Sequence, residues 1–501
     1  MIIQGKDIKE KNILLKTKYC IIGSGAGGAV VAERLSKSGN DVILIEEGSH
    51  YPPGVLKHET ETIAMAHIYR DAVMQATDNN SITLFQGRAI GGSTFVNHAL
   101  CFHMPSAVFD DWSHSNVVKN FDFKNLQDHY LKIEQFLKPK STPPQYQNSA
   151  SRLFYNTFKN NNLKVSLTQR NTNSCVGCGS CFRSCDIGAK NSTDMTFIPA
   201  AIKNGAQVFS NFKADKIIFK GNKAIGVEGI ILSEFYKAKG SFKIEAENII
   251  ISAGALHSPW LLHRSGIKNK NIGQHLKIHP IVPMQARFKK NMDSFNGVPQ
   301  SVVSQHYTDY RNKKAKGFIF YCDFSGYMGT SSHIPGIGIE FAQRLSQLRK
   351  MGQTQIMLLD STTGTVNCKK DKPVISYDLN EMDKMTFAHA AKIMGKLYFD
   401  SGAEAIYLGN KEFNSAGDLD AINAIDFNPF SIHIYAAHFQ STCRMGTDSE
   451  QAVTDNSGKV FGTENVYVAD ASILPDSVGI NPMLTTMAFS SIVADEILKV
   501  R

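Results

Sequence analysis

The chain has 501 residues, of which 42% are hydrophobic, and carries a formal net charge of +9. This length is too great for one simple core and predicts two interleaved domains, while the composition is typical of a soluble globular enzyme. No apolar run reaches the roughly 18 residues of a membrane span, and the start of the chain lacks a signal-peptide pattern. We therefore expect no transmembrane segment and a cytoplasmic location, with membrane association through a partner left open.

The charged residues and the cysteines argue against two classes of protein, those that bind nucleic acids and those secreted with a disulfide framework. Lysine and arginine are scattered, and only residues 310–316 (YRNKKAK) resemble a basic run. A solvated loop explains that run better than nucleic-acid binding does, so no nucleic-acid partner is expected. Four of the nine cysteines lie within residues 175–185, and this crowding with an odd total argues against a secreted disulfide framework.

The first predicted elements form a βαβ unit. A buried strand at residues 19–22 is followed by a glycine-rich turn, a helix at residues 29–38 and a second buried strand at residues 42–45. This order of elements, with a glycine-rich turn between the first strand and the helix, is typical of dinucleotide-binding domains.

The turn of this unit has the spacing G-x-G-x-x-G. Gly23 permits the tight turn, Gly25 lets the backbone approach a pyrophosphate, and Gly28 lets helix and strand pack closely. Phosphates bind at the N-terminus of the helix, where unpaired N–H groups and the dipole favour negative charge. Glu46 ends the second strand and can accept hydrogen bonds from ribose hydroxyls, with Glu47 as the competing choice. The unit predicts dinucleotide binding without distinguishing FAD from NAD.

A second glycine-rich loop follows at residues 85–100 (FQGRAIGGSTFVNHAL). Its three glycines predict an irregular loop beside Arg88, to which Ser93, Thr94 and Asn97 add polar groups. Such a loop can contact another part of a large cofactor, although a surface turn fits its composition equally well.

The segment GRAIGGSTFVN in this loop resembles the first signature of the glucose–methanol–choline (GMC) flavin oxidoreductases. Further blocks resemble that family in the same order, at residues 247–267, 271–280, 438–448 and 465–498. The resemblance implies an α/β fold in which a Rossmann-type FAD-binding domain is interleaved with an α+β substrate-binding domain. It assigns the FAD-binding domain to residues 1–100, 174–281 and 430–501, and the substrate-binding domain to residues 101–173 and 282–429.

The hydrophobic pattern agrees with this layout. It predicts further strands at residues 206–209, 214–219, 224–232 and 248–252. It predicts amphipathic helices at residues 125–137 and 382–399, whose apolar stripes are more typical of core than of ligand contact.

The resemblance also implies which residues contact FAD. Asn97 would touch the isoalloxazine side, and Asp470 would lie near the ribityl chain and the pyrophosphate. The full set of expected contacts is Gly23, Gly25, Ala26, Gly28, Glu46, Glu47, Arg88, Gly91, Gly92, Ser93, Asn97, Ala214, Ala253, Gly254, Asp470, Ala471, Asn481 and Pro482.

Alcohol oxidation removes a proton from the hydroxyl group and a hydride from the carbon. Flavin accepts the hydride, and the proton needs a base whose pKa lies near neutrality, which suits histidine. The resemblance selects His438 as this base. It selects Asn481 as the partner, whose amide N–H can hold the substrate oxygen. His279 and His433 are the alternative bases.

Four cysteines follow the spacing C-x2-C-x2-C-x3-C at Cys175, Cys178, Cys181 and Cys185. This is the spacing of bacterial ferredoxins, in which thiolates bind iron–sulfur clusters, although Asp186 replaces the usual proline. Three of these cysteines also resemble the cluster ligands of the FAD sugar dehydrogenases. The loop therefore predicts a 4Fe–4S or 3Fe–4S cluster, with a structural zinc site or free thiols as alternatives.

These observations favour an FAD-dependent dehydrogenase of an alcohol or sugar that passes electrons through the cluster to an acceptor protein or subunit. The first alternative is an oxygen-reducing oxidase of a sterol or long-chain alcohol, because residues 465–482 also resemble the C-terminus of the cholesterol oxidases. A non-catalytic flavoprotein or electron carrier is the alternative of a different class. The presence of both His438 and Asn481 argues against that class.

Overall fold

A computed structural model describes residues 1–115, 117–119, 121–312, 316–324, 326–369 and 372–500. Lys313 and Lys314 of the basic run at residues 310–316 lie outside the described residues. No helix within the described ranges combines the length and the apolarity that crossing a membrane requires.

The described strands, numbered in chain order, are β1 (Ile2–Gln4), β2 (Asn12–Ile22), β3 (Val42–Glu46), β4 (Ile82–Leu84), β5 (Lys140–Ser141), β6 (Ser166–Leu167), β7 (Gln169–Arg170), β8 (Gln207–Ser210), β9 (Phe212–Lys220), β10 (Lys223–Leu232), β11 (Ala238–Ile251), β12 (Ile281–Phe288), β13 (Val302–Ser304), β14 (Phe318–Asp323), β15 (Met351–Leu358), β16 (Thr365–Lys369), β17 (Lys372–Ser376), β18 (Ala403–Leu408), β19 (Lys411–Phe413), β20 (Ile434–Ala436) and β21 (Val466–Val468).

The described α-helices are α1 (Ala26–Lys37), α2 (Glu61–Ile68), α3 (Ser93–Val96), α4 (Ser106–His114), α5 (Phe123–Leu137), α6 (Ser149–Asn160), α7 (Phe197–Lys203), α8 (Ser258–Arg264), α9 (Gly326–Ser331), α10 (Ile339–Leu345), α11 (Glu381–Asp400) and α12 (Met483–Lys499). Short 3-10 helices occupy Gly5–Asp7, Arg70–Val73, Pro144–Tyr146, Leu348–Lys350, Ala416–Ala424 and Ala471–Ile473.

The first large sheet contains the dinucleotide-type unit. Within the described chain its order is β1-β8-β3-β2-β11-β10-β9, with β21 paired to β11. The strands from β1 to β11 in this order, and β21, pair in parallel, whereas β10 pairs antiparallel with β11 and β9. β3 is buried along its whole length, as expected for a parallel strand covered on both faces.

The predicted βαβ unit is confirmed as β2, α1 and β3. The strand predicted at residues 19–22 is only the end of β2, which begins at Asn12 because it pairs with β11 along its whole length. The strands predicted at residues 206–209, 214–219, 224–232 and 248–252 correspond to β8, β9, β10 and the end of β11. The predicted helices at residues 125–137 and 382–399 correspond to α5 and α11.

The second large sheet is built mainly from residues 281–436. Among the described residues its order is β19-β18-β12-β15-β14-β13-β6, with β20 paired to β12 and β4 paired to β20. β4 and β20 thus join this sheet although they lie at residues 82–84 and 434–436. Both strands lie in segments expected to belong to the FAD-binding domain, and the domain boundaries expected near residues 100 and 430 stay predictions.

The connections between the sheets bring distant parts of the chain together. β20 leads from the second sheet to His438, and β21 leads from the first sheet to Asp470. Asn481 lies just before α12, a mostly buried helix that packs against α1 and α5. The ends of β2, β3 and β21 therefore meet the end of β20, at the carboxyl edge where open α/β sheets bind ligands.

Candidate active site

A cavity of about 500 Å³ is lined by residues of both large sheets. Ile22, Ile45 and Ala214 border it from the first sheet, and Ile281 and Tyr321 border it from the second. This volume lies within the usual range for small-molecule and cofactor pockets.

The turn between β2 and α1 forms one wall of the cavity. Gly23 has φ +104°, and a Cβ there would lie 2.2 Å from the carbonyl oxygen of Ser252. A Cβ on Gly25 would have only the Cα of Gly92 within 4 Å, at 3.9 Å, so the backbone of Gly25 borders open space. Such a cradle at a helix N-terminus, which a side chain would fill, fits the pyrophosphate of FAD.

Two acidic residues mark the end of this wall. Glu46 accepts hydrogen bonds from the backbone N–H and hydroxyl of Ser24, at 3.0 and 2.8 Å, and from the N–H of Gly48 at 2.9 Å. Burial raises the pKa of Glu46, and these donors oppose that shift. The carboxylate keeps acceptor positions for further donors, so its role toward a ribose stays a prediction.

Glu47 lies in a charged pair at the same end of the cavity. Its carboxylate accepts two hydrogen bonds from the guanidinium of Arg70, at 3.2 and 2.9 Å. Burial alone would raise the pKa of Glu47, but the charge and hydrogen bonds of Arg70 outweigh burial and lower it to about 2. The pair is therefore ionised and places fixed charges on the cavity wall.

Most of the expected FAD contacts line this cavity. They are Gly23, Gly25, Ala26, Glu46, Glu47, Gly92, Ser93, Asn97, Ala214, Ala253, Gly254, Asp470, Ala471, Asn481 and Pro482, together with the expected base His438.

Three expected contacts lie elsewhere. A Cβ on Gly28 would lie 1.9 Å from the carbonyl oxygen of Gly23, so Gly28 serves the close packing of α1 on the strand. The N–H of Gly91 donates to the hydroxyl of Ser24 at 3.0 Å and so fixes one glycine-rich loop to the other. The guanidinium of Arg88 lies over the ring of Tyr236, 3.5 Å from its centroid.

Asp470 is held firmly beside the cavity. Its Oδ1 accepts from the N–H of Ser472 at 2.8 Å, and its Oδ2 accepts from the N–H of Gly254 at 2.9 Å and from the hydroxyl of Ser258. Burial raises the pKa of this carboxyl group, and the hydrogen bonds oppose that rise. The contacts fix Asp470 between the end of β21 and the loop after β11.

The reacting end of the cavity is built from His438 and Asn481. The hydroxyl of Tyr321 donates to Oδ1 of Asn481 at 2.6 Å, which directs the amide nitrogen toward His438. Nδ2 of Asn481 lies 3.1 Å from Nε2 of His438. An amide nitrogen can only donate, so this hydrogen-bond network assigns a lone pair to Nε2 of His438.

His279 completes the assignment on the other side of the ring. With Nε2 unprotonated, His438 carries its proton on Nδ1, which lies 3.3 Å from Nδ1 of His279. His279 then accepts at Nδ1 and donates from Nε2 to the hydroxyl of Ser477, at 2.6 Å. The chain from Tyr321 through Asn481, His438 and His279 to Ser477 thus has one consistent direction of donation.

Both histidines of this chain are neutral near pH 7. Burial lowers the pKa of His438 well below its ordinary value, and the neighbouring His279 adds to the shift. Burial, followed by the charges of Lys316 and Lys277, lowers the pKa of His279 to about 3. A neutral His438 with a lone pair on Nε2 can accept a proton from a bound hydroxyl group.

The four-cysteine loop does not form the ligand group that its spacing predicts. Within the described residues, no three or more His, Cys, Asp or Glu side chains are arranged to hold a metal ion. Sγ of Cys181 accepts from Arg170 at 3.1 Å, and Sγ of Cys185 accepts from the N–H groups of Ala189 and Lys190, at 3.1 and 3.3 Å. Two of the four sulfurs thus have hydrogen-bond donors from the protein, and the predicted iron–sulfur cluster has no support from this arrangement.

Lys190 connects the cysteine loop to the second glycine-rich loop, at residues 85–100. Its buried ammonium group donates to the carbonyl oxygens of Phe95, Asn97 and Cys181. Phe182, next to Cys181, lines the cavity. The contacts make the cysteine loop part of the support of the cavity wall.

Several cavity residues have no motif in the sequence. Tyr321 and Asp323 lie two residues apart on β14 and therefore point to the same face of the sheet. Gln355 pairs with Tyr321 from the neighbouring strand β15, and all three side chains line the cavity. Their only sequence signal is the alternation of polar and apolar residues in a strand. His279 is named by the sequence only as an alternative base, and its place beside His438 comes from the structure.

Comparison with known proteins adds the family. The GMC oxidoreductase profiles match residues 22–281 and 360–490. An uncharacterized GMC-type oxidoreductase of Mycobacterium tuberculosis is 28% identical over 95% of this chain and 75% of its own length. A long-chain-alcohol oxidase of Arabidopsis thaliana is 26% identical over 95% of this chain and 67% of its own length.

A solved structure agrees in fold. Pyridoxine 4-oxidase from Mesorbium loti superposes with a TM-score of 0.74, covering 97% of this chain and 100% of the other, at 17% identity. That identity supports a shared fold and nothing further. The profile matches extend over more than half of the sequence, and one cavity is lined by both the glycine-rich turn after β2 and His438 with Asn481. The chain therefore belongs to the GMC oxidoreductases, FAD-dependent enzymes that act on CH–OH donors.

Proposed function

We infer that the protein is an FAD-dependent alcohol oxidase, in which His438 is the base and Asn481 holds the substrate oxygen. The observation that carries this inference is the 3.1 Å contact between Nε2 of His438 and Nδ2 of Asn481 on the cavity wall. A lone pair and an N–H donor side by side are what an alcohol hydroxyl group needs, since it gives up one proton and accepts one hydrogen bond.

The residues of the chain act on the hydroxyl group in a defined order. Asn481 donates its N–H to the alcohol oxygen, and Nε2 of His438 accepts the hydroxyl proton. The resulting imidazolium keeps its Nδ1–H directed at Nδ1 of His279, 3.3 Å away, which stabilises the charge. Tyr321 keeps the Asn481 amide in the orientation that allows this donation.

FAD would be held by the cradle at Gly25, the start of α1 at Ala26, the acid Glu46 and the fixed carboxylate of Asp470. When bound, it supplies the acceptor for the hydride that leaves the alcohol carbon. His279 is buried and His438 is partly buried, and both are uncharged at neutral pH because burial lowers the pKa of each. The active form of His438 is therefore already present at neutral pH.

Two observations support oxygen as the electron acceptor. The relatives with printed activities include long-chain-alcohol oxidases, and no three side chains of the cysteine loop are arranged to hold a metal ion within the described residues. A route through an iron–sulfur cluster to a partner protein was predicted from the cysteine spacing, and it has no support from this arrangement. We favour an alcohol with an apolar carbon chain as the substrate, because the apolar side chains of Val73, Phe85 and Met328 line the cavity.

The experiment is an anaerobic titration of the purified flavoprotein with primary alcohols, followed by admission of air. We expect the visible flavin absorbance to bleach, then to return in air with formation of hydrogen peroxide. Return only after an artificial electron acceptor is added would assign a dehydrogenase. A flavin that no alcohol bleaches would favour the non-catalytic flavoprotein.

A further inference from the structure

A buried carboxylate that the proposed reaction does not use borders the cavity. Asp323 is the last residue of β14 and is only 3% exposed. Its Oδ2 accepts from Nε2 of Gln300 at 3.3 Å and from Nε2 of Gln355 at 3.1 Å. Its Oδ1 has no hydrogen-bond partner among the described residues. An incompletely bonded carboxylate is unfavourable in a protein interior, so its presence here calls for a ligand.

A histidine that lines the same cavity also has a buried polar atom without a partner among the described residues. His98 lines the cavity, and its Nε2 also has no partner within the described chain. Burial lowers the pKa of His98, although the charge of Asp323 opposes that shift. A neutral imidazole carries no positive charge that would pair with the Asp323 carboxyl group.

Asp323 stands close to the reacting end. Tyr321 lies two residues earlier on β14 and bonds to Asn481. Side chains two residues apart on a strand point to the same face, and their origins are about 7 Å apart. Asp323 therefore lies on the same cavity wall as Tyr321, the residue that orients the Asn481 amide.

We propose that Asp323 and His98 form a second contact for the substrate, which receives an N–H or O–H donor several bonds from the reacting hydroxyl group. The proposal rests on the proposed function and names its substrate class: an alcohol that carries a further hydroxyl or ammonium group. A carboxylate bonds such donors strongly, because its hydrogen bonds are charge-assisted. A plain alkanol is disfavoured, because it would leave the buried Oδ1 unpaired.

The test compares three alcohols of one chain length: 1-hexanol, 1,6-hexanediol and 6-amino-1-hexanol. The rate constant of anaerobic flavin bleaching, divided by the substrate concentration in the linear range, gives the preference. We expect the holoenzyme to prefer the diol or the amino alcohol over 1-hexanol by at least tenfold, and Asp323→Asn to reduce that preference to below threefold. A preference for the amino alcohol identifies an ammonium ligand, and a preference for the diol identifies a hydroxyl ligand.

Asp383 provides the matched control. It is also 3% exposed, but its two oxygens accept from the N–H and hydroxyl groups of Ser361 and Thr362. Asp383→Asn should lower the thermal midpoint and leave the alcohol preference unchanged. Asp323→Asn should abolish the preference without lowering the midpoint. A lowered midpoint with an unchanged preference in Asp323→Asn would overturn the proposal, since it would show a purely structural role.

Thermal shift by 6-amino-1-hexanol separates this proposal from the proposed function, since it needs no turnover. A stabilising shift in the native holoenzyme that Asp323→Asn lacks, without flavin bleaching, would keep the contact and refute the oxidase. Bleaching by 1-hexanol as fast as by the other two alcohols would keep the oxidase and refute the contact.

Discussion

Nδ1 of His279 lies 3.3 Å from Nδ1 of His438, on the side of the imidazole away from Asn481. The rings meet almost at right angles, at 82°, with their centroids 5.4 Å apart. His279 is therefore the acceptor that keeps the His438 proton on Nδ1 and leaves the lone pair on Nε2, where the substrate hydroxyl would replace the present contact with Asn481. It acts through His438 and is a positioning residue.

Two replacements of His279 should show whether its hydrogen-bond acceptor or only the size of its side chain supports the reaction. His279→Leu removes the acceptor, so we expect flavin reduction to slow by more than about tenfold, as for the loss of one buried hydrogen bond. His279→Gln offers a carbonyl oxygen and should keep most of the rate. Stopped-flow bleaching measures both, and equal rates in the two variants would contradict the positioning role.

The pH dependence of stability should report the buried state of His279. Its folded pKa is about 3, whereas an unfolded histidine titrates near 6.5. The unfolded chain binds more protons between these values, so the stabilisation is complete above pH 6.5 and is lost as pH falls toward 3. From pH 7.5 to 5 the native protein should lose about 2 kcal/mol more unfolding free energy than His279→Gln does.

Urea unfolding at the two pH values provides this comparison. Midpoints are compared rather than extrapolated energies, because a chain with two large sheets need not unfold in one step. Parallel pH profiles for the native protein and His279→Gln would show that His279 is not buried as described.

The cradle at Gly25 can be tested with one methyl group. Gly25 has φ −69°, and a Cβ there meets nothing closer than 3.9 Å, so Gly25→Ala should fold. The methyl group would occupy the position of the pyrophosphate, and we expect flavin content after purification to fall at least tenfold. Gly417→Ala, whose Cβ would have only the Ser415 hydroxyl at 3.6 Å, is the control and should keep its flavin. Full flavin content in Gly25→Ala would place the cofactor elsewhere.

Metal analysis tests the arrangement of the cysteine loop. No three His, Cys, Asp or Glu side chains within the described residues are arranged to hold a metal ion, so we expect neither iron nor sulfide at stoichiometric levels. The protein should be prepared without oxygen from iron-replete cells, so that a labile cluster would survive. Three or four irons per chain with matching sulfide would restore the predicted dehydrogenase and its electron-acceptor partner.

Local motifs made part of this site predictable. The turn from Gly23 to Gly28 and the loop at Gly91 and Gly92 are short segments whose glycines are required by backbone geometry. A glycine pattern of this kind is readable without knowledge of distant contacts. The same holds for His438, which the resemblance identified and the structure places on the cavity wall beside Asn481.

The remaining residues of the site could not be predicted, because their positions depend on pairing between strands that are distant in the sequence. Tyr321 and Asp323 reach the cavity only because β14 pairs with β15 in the second sheet, and nothing in the segment FIFYCD marks that position. The cluster predicted from the cysteine spacing stays without support for another reason. Their spacing permits convergence, but Arg170 and the backbone beside Lys190 bond two of the sulfurs separately, and a spacing carries no information on such partners.

The rate of flavin bleaching by an alcohol in His438→Ala, measured without oxygen, tests the central claim most directly. Removal of a general base typically slows the step by about 100- to 10,000-fold, and we expect a loss in that range with flavin content unchanged. The small side chain leaves the Asn481 amide and the cofactor cradle in place, so binding should survive. Bleaching at the native rate in His438→Ala would contradict the account and move the base to another histidine.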